Sequence, residues 1–113
     1  MKSKILALSK NEEFRKLLQQ KKVSNKYVTI FFGFLNDKNK SKLNISFVTK
    51  KKIGNAVKRN KIKRRLRNIV NDAVKKVSVK FNYSYLVIAK STMLNSEYKN
   101  IKETLFQDLE KIK

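Results

Sequence analysis

Residues 55–78 read NAVKRNKIKRRLRNIVNDAVKKVS, and the spacing of apolar side chains in this stretch decides the fold class. Ile62, Leu66, Ile69, Val70, Ala73, Val74 and Val77 recur at helical intervals and make one apolar stripe on a long helix. Asn55, directly after Gly54, stands where an N-cap belongs. The far end stays open, because VSVKF at 77–81 reads equally well as the start of a strand. On the wheel, Asn60, Lys61, Lys63, Arg64, Arg65, Arg67 and Asn68 occupy the arc opposite the stripe. A helix with one apolar side must cover another layer, and the flanking segments supply a sheet.

Upstream, KYVTIFFGF at 26–34 is dense in β-branched and aromatic residues, and LNISFVTK at 43–50 alternates apolar with polar. The polar run LNDKNKSK at 35–42 separates them, so the two are expected to pair as an antiparallel hairpin. Period two sends Val28, Ile30, Phe32 and Phe34 to the core and Tyr27, Thr29, Phe31 and Gly33 to the other face. On the partner strand, Asn44, Ser46, Val48 and Lys50 form the less apolar face. Residues 9–20 read as a helix: Ser9 and Glu12 have capping-box spacing, and Phe14, Leu17 and Leu18 share a face. Downstream, SYLVIAK at 84–90 reads as a short buried strand. Asn95 or Ser96 then caps a helix that carries Tyr98, Ile101, Leu105, Phe106, Leu109 and Ile112. The order is αββαβα, with an extra short strand near 21–24, in one α+β domain spanning residues 1–113.

Composition narrows the chemistry. The 113 residues carry 29 Lys plus Arg against 8 Asp plus Glu, a formal charge of +21. Such a surplus repels itself and attracts polyanions. Neither Cys nor His occurs, which removes disulfides, zinc sites built from these residues, thiol nucleophiles and imidazole acid–base chemistry. Seven Phe and four Tyr in periodic segments favour a folded domain over a disordered one. The apolar run Ile5 to Leu8 is too short for the core of a signal peptide, and nothing approaches the roughly 18 apolar residues of a membrane span. The expectation is a soluble, cytoplasmic protein with no membrane partner. The acids Glu12, Glu13, Asp37, Asp72, Glu97, Glu103, Asp108 and Glu110 read as helix-dipole partners or scattered surface charge. Converging carboxylates for metal-dependent hydrolysis are not expected among them.

The basic residues are unevenly placed. Between Asp37 and Asp72 lies no acid but thirteen basic residues, ten of them from Lys50 to Arg67. Like charges at i,i+4, such as Lys61/Arg65 and Lys63/Arg67, destabilise an isolated helix by ~0.2–0.5 kcal/mol each. Phosphates would offset that repulsion. Within this segment, KKKIGNAVKRNKIKRRLR at 50–67 resembles the signature of the bacterial ribonuclease P protein subunit, KKIGNAV-x-RNR-x-KR-x-x-R. Lys51, Lys52, Gly54, Asn55, Ala56, Val57, Arg59, Asn60, Lys63, Arg64 and Arg67 fall on the pattern. Lys61 replaces the second Arg of the RNR triplet, keeping the charge and losing the planar fork. KNEEFRKLL at 10–18 and SYLVIAK at 84–90 look like the family's first helix and last strand.

The resemblance implies a small α/β sandwich with a four-stranded sheet and a left-handed β-α-β crossover around the basic helix. It also implies a large catalytic RNA as partner, which removes the 5′ leader of precursor tRNA using magnesium held mainly by RNA. By that resemblance Lys51, Lys52, Asn55, Arg59, Asn60, Lys61, Lys63, Arg64 and Arg67 dock the catalytic RNA, one protein per RNA. A central cleft holds the single-stranded leader. Phe14 borders it by family match, and Phe31 does so unless a one-residue shift substitutes Ile30. Lys90 matches a position where the family often carries Arg, which implies a contact to a leader phosphate; the equal alternative is a side chain in solvent. From the residues themselves, a sheet face with Tyr27, Phe31, Ser46, Val48 and Lys50 suits stacking of unpaired bases beside their phosphates; for the aromatics the alternative is core packing. No catalytic residue and no protein-held metal is expected. A structural RNA-binding protein, for example a small basic ribosomal protein, shares the basic helix but needs no cleft. A DNA recognition helix fits less well, since two strands rather than a short helix and turn precede residues 55–78.

Overall fold

The computed structural model describes residues 5–6, 11–34, 43–77 and 79–112. Strands β1 (Ile5–Leu6), β2 (Lys21–Ser24), β3 (Val28–Gly33), β4 (Leu43–Val48) and β5 (Ser84–Ala89) combine with helices α1 (Asn11–Leu18), α2 (Ala56–Lys76) and α3 (Tyr98–Lys111). The strands form one mixed sheet in the order β1-β4-β5-β3-β2. Its body is four-stranded, with two-residue β1 added parallel to the outer side of β4. Short β2, with Lys21, Lys22 and Ser24 exposed, closes the other edge, and such charges discourage pairing with another chain.

β3 and β4 are not a hairpin. β5 lies between them, antiparallel to β3 through pairs Val28↔Ala89 to Gly33↔Ser84 and parallel to β4 through Asn44↔Ser84 to Val48↔Ile88. SYLVIA has the most continuously buried pattern of the strands, so it takes the position where both edges are paired and both faces covered. α2 supplies the crossover joining parallel neighbours β4 and β5.

The two faces of the sheet bury unequal cores. Val28, Ile30, Phe32, Leu43, Ile45, Tyr85, Val87 and Ala89 meet the α2 stripe (Ile62, Leu66, Ile69, Val70, Ala73) and Ile101, Leu105 and Leu109 of α3 in the main core. On the opposite face, Leu17 of α1 and Leu86 of β5 form a small fully buried pair. Phe14, Phe31, Val48 and Ile88 pack around that pair and stay partly open. Ile30 is fully buried in the main core, so Phe31 takes the α1 face without a register shift.

Several boundaries differ from the sequence reading. Ser9 lies outside the described residues, as does the polar run 35–42. Residues 77–81 make no described strand; Val77, Val79 and Phe81 lean on the main core instead. Ser91–Asn95 form a 3₁₀ turn in which neither Asn95 nor Ser96 caps α3. Glu97 takes the cap position without a side-chain bond, while the Ser96 hydroxyl donates to the Thr92 carbonyl. Phe34 follows the end of β3 and is 61% exposed rather than buried.

Two side-chain bonds lock distant elements. Asn25, between β2 and β3, accepts from the backbone N–H groups of Tyr27 and Val28 and donates to buried Asp108 of α3 at 2.6 Å. Lys102 of α3 meets Asp72 of α2 at 2.8 Å, a hydrogen bond that holds the Asp72 carboxyl below its ordinary range.

Candidate nucleic-acid interface

The basic face is aimed by the chain's entry into α2. Ile53, buried in the main core, pins a 3₁₀ turn at Lys51–Ile53 and leaves Lys51 and Lys52 exposed. Gly54 then adopts φ 158°, a backbone angle that disfavours any side chain, and a Cβ there would also press on the flexible Lys58 side chain, 2.9 Å from its Cδ. Asn55 follows as the N-cap, its Oδ1 accepting from the Lys58 backbone N–H at 3.0 Å. No acid occupies the first turn of α2. Its partial positive charge is therefore reinforced by Lys58 and Arg59 rather than offset, an arrangement that favours an anion.

Along α2, Asn60, Lys61, Arg64 and Arg67 are exposed, while Arg59, Lys63 and Arg65 are half-buried. Among the described residues no ion pair involves a basic side chain of residues 58–67. Arg59 Nε is buried and, among the described residues, has no hydrogen-bond partner. A buried donor left unpaired costs about 1–3 kcal/mol, which a phosphate oxygen within reach would recover.

Beside this face runs a groove that starts on the α1 side of the sheet and passes around β4 to the margin of α2. The register sets Phe31, Leu86 and Ser46 in one row across β3, β5 and β4, and Thr29, Ile88 and Val48 in the next. A hollow of about 380 Å³ is walled by Phe14 of α1, residues 45–49, and Lys63 and Arg67 of α2. A second hollow of about 420 Å³ takes in Thr29, Lys50, Lys52, Ile88, Lys90 and Thr92. Val48 and Ile88 are paired neighbours, one in each wall, so the two hollows adjoin. Lys90 is anchored there: its Nζ donates to Ser24 Oγ at 2.9 Å and to the Asn25 carbonyl at 2.6 Å.

The structure thus brings Phe14, Ser46, Val48, Lys50 and Lys90 to this groove, with Phe31 packed alongside Phe14 in the same cluster. Tyr27 does not join them. It is 7% exposed within the main core, because the turn held by Asn25 bends the backbone before the pleat begins at Val28. Lys63 and Arg67, read as part of the outward basic arc, also face the groove. Their i,i+4 spacing beside Ile62 and Leu66 was the available sign, since residues flanking a buried stripe line its margin. Thr49 carries no such sign. Its Oγ1, buried and unpartnered among the described residues, lies in the same wall.

Among the described residues no three acidic side chains gather as a metal site, and the groove lining is aromatic, aliphatic, hydroxyl and cationic. These residues do not fit a divalent cation; they fit a polyanion that carries flat, unpaired rings.

Comparison with known proteins gives this surface its context. A family model described as Ribonuclease P matches residues 3–113. The chain belongs to the ribonuclease P protein family. The ribonuclease P protein component of Mesoplasma florum is 34% identical over 91 residues, covering 80% of each chain. That of Carboxydothermus hydrogenoformans is 33% identical over 101 residues, covering 87% of this chain and 83% of the relative. Among solved structures, the RNase P protein of Thermotoga maritima superposes with a TM-score of 0.79 at 22% identity, over 96% of this chain and 98% of that one, which establishes the shared fold. The Staphylococcus aureus RNase P protein gives a TM-score of 0.76 at 25% identity, over 94% and 93%. The chain is therefore a protein component of ribonuclease P, a tRNA-processing ribonuclease, and its partner is RNA. No helix among the described residues is long and apolar enough to cross a membrane.

Proposed function

We propose that this subunit grips two RNAs at once. The outer face of α2 and its entry turn (Lys51, Lys52, Asn55, Arg59, Asn60, Lys61, Lys63, Arg64 and Arg67) dock a catalytic RNA, one protein per RNA. The adjoining groove, with Phe14, Phe31, Ser46, Val48, Lys50 and Lys90, holds the 5′ leader of precursor tRNA. The hydrolysis itself belongs to the RNA, with magnesium held mainly by RNA phosphates, and the proposed place of work is the cytoplasm. One observation carries this reading: Lys63 and Arg67 wall the same hollow as Phe14 and Ser46.

The physical consequence is a substrate grip that mature tRNA cannot use, because it has lost the leader. Each base stacked on an aromatic ring contributes about 1–3 kcal/mol. Basic side chains between two RNAs also neutralise phosphate repulsion, lowering the magnesium needed to hold the RNAs together. The test is reconstitution with the organism's ribonuclease P RNA at low magnesium. Added protein is expected to raise precursor-tRNA cleavage and to tighten precursor binding over mature tRNA. Unchanged cleavage would leave a purely structural RNA-binding role, and equal affinity for the two tRNAs would remove the leader from the groove.

A further inference from the structure

One exposed feature is absorbed by neither RNA surface described above. Phe34 and Tyr83 flank the last pair of the β3–β5 ladder, Gly33↔Ser84. The opposite end of that ladder, Val28↔Ala89, adjoins Lys90, so the two ends lie roughly 17 Å apart along the strands. The Phe34 ring, 61% exposed, lies 4.7 Å from that of Tyr83 at 45°. Tyr83 is backed edge-on by Phe32 at 5.4 Å and by Tyr85 at 6.4 Å. Tyr85 is fully buried and donates its hydroxyl to the Lys80 carbonyl at 2.7 Å, giving the ledge a fixed base.

The polar side is also built. Gly33 lets the Gln20 amide lie against the backbone, where a Cβ would collide with it. The Gln20 Nε2 donates to the Phe34 carbonyl at 3.3 Å, which fixes the amide beside the ring and leaves it further donor and acceptor capacity. Lys21 completes a cavity of about 120 Å³ with Gln20, Phe32, Gly33, Phe34 and Tyr83, and Lys22 and Lys80 are exposed on neighbouring segments. A flat aromatic surface, an amide at its edge and flanking ammonium groups match a base with its phosphates. A second copy of the chain is a poor occupant, because each copy brings a charge of +21.

We propose that the Phe34–Tyr83 ledge, with Gln20 and Lys21 beside it, is a second single-stranded RNA contact that stacks one unpaired nucleobase. The proposal rests on the RNA-binding reading above but not on the leader groove. The chain has no Trp, so Phe34→Trp places a sole indole on the ledge. With a short single-stranded oligoadenylate as probe and the full chain as receptor, indole emission is expected to quench saturably. Quenching is expected to persist in a Phe14→Ala background, in which Phe34→Ala lowers affinity for the probe by about 5-fold or more.

Binding by anisotropy without quenching overturns the ledge and leaves the groove standing. Equal quenching by an abasic ribose-phosphate chain overturns it too, since charge alone would explain the signal. So does buried-indole emission in the free protein, which would mean that the chain itself covers Phe34, or a dimer that Phe34→Ala dissociates. No binding of the probe at all overturns the ledge and general single-strand binding together. The low-magnesium reconstitution fails or succeeds independently of each of these results.

Discussion

Replacing Lys63 and Arg67 with Gln tests whether the groove wall is an anion clamp. Both side chains border the hollow that contains Phe14 and Ser46, and neither has an ion-pair partner among the described residues. On single-stranded RNA each neutralised phosphate contributes about 0.7 to the slope of log affinity against log salt. An interface of about six phosphates therefore gives a slope of ~−4, and removing two gives ~−3. Between 50 and 200 mM salt the unaltered protein is expected to lose roughly 300-fold in affinity and the double variant roughly 50-fold. Lys63 and Arg67 repel each other at i,i+4, so the free variant gains about 0.2–0.5 kcal/mol of stability while binding weakens. The assay is fluorescence anisotropy with labelled precursor leader over a salt series, alongside urea unfolding of the free protein. An unchanged slope refutes the clamp. A fall in stability that parallels the loss of binding would instead assign the two side chains to packing.

Further outcomes follow from named contacts. Asn55→Ala removes the α2 cap and is expected to cost about 1 kcal/mol in urea unfolding; a Gly replacement recovers most of it. Leu17→Ala opens a cavity beneath α1 and costs about 2–5 kcal/mol, and it weakens leader RNA binding because Phe14 loses its support. The Asp72 carboxyl is held low by Lys102, so its contribution is present above the ordinary value of 3.8 and is lost as pH falls through the lowered value. Stability measured across the acid range is expected to lose that limb in Asp72→Asn. Millimolar phosphate is expected to raise the melting temperature of the free protein by binding the folded basic surface; an unaffected midpoint would contradict the unneutralised cluster on α2.

Much of this architecture was legible in the residues. The stripe from Ile62 to Ala73 and the Asn55 cap placed α2 and its start, while the far end, open in the sequence, falls at Lys76; alternation placed Leu43, Ile45 and Phe47 on the core side. Periodicity reports which face a side chain takes, not which strand lies alongside, and so the insertion of β5 between β3 and β4 was not readable. The same limit explains Tyr27 and Phe34. Both sit one residue outside the pleat, where the Asn25 turn at one end and the end of β3 at the other override alternation. The groove was half-legible: its aromatics follow from the α1 and β3 patterns, but the inward set of Lys63 and Arg67 needs the docking angle of α2 against β4. The family signature supplied the RNA partner with greater specificity than charge alone.

The placement of β5 has a consequence for how the molecule comes into being. The strand that stitches the sheet together is the last of the five to leave the ribosome, and until then β3 and β4 each lack their principal neighbour. Ladder closure has to wait for residues far along the chain, a high-contact-order step that is slow by nature. A nascent chain stopped before Ser84 would hold two unjoined halves, β1 with β4 and β2 with β3, under strong mutual repulsion.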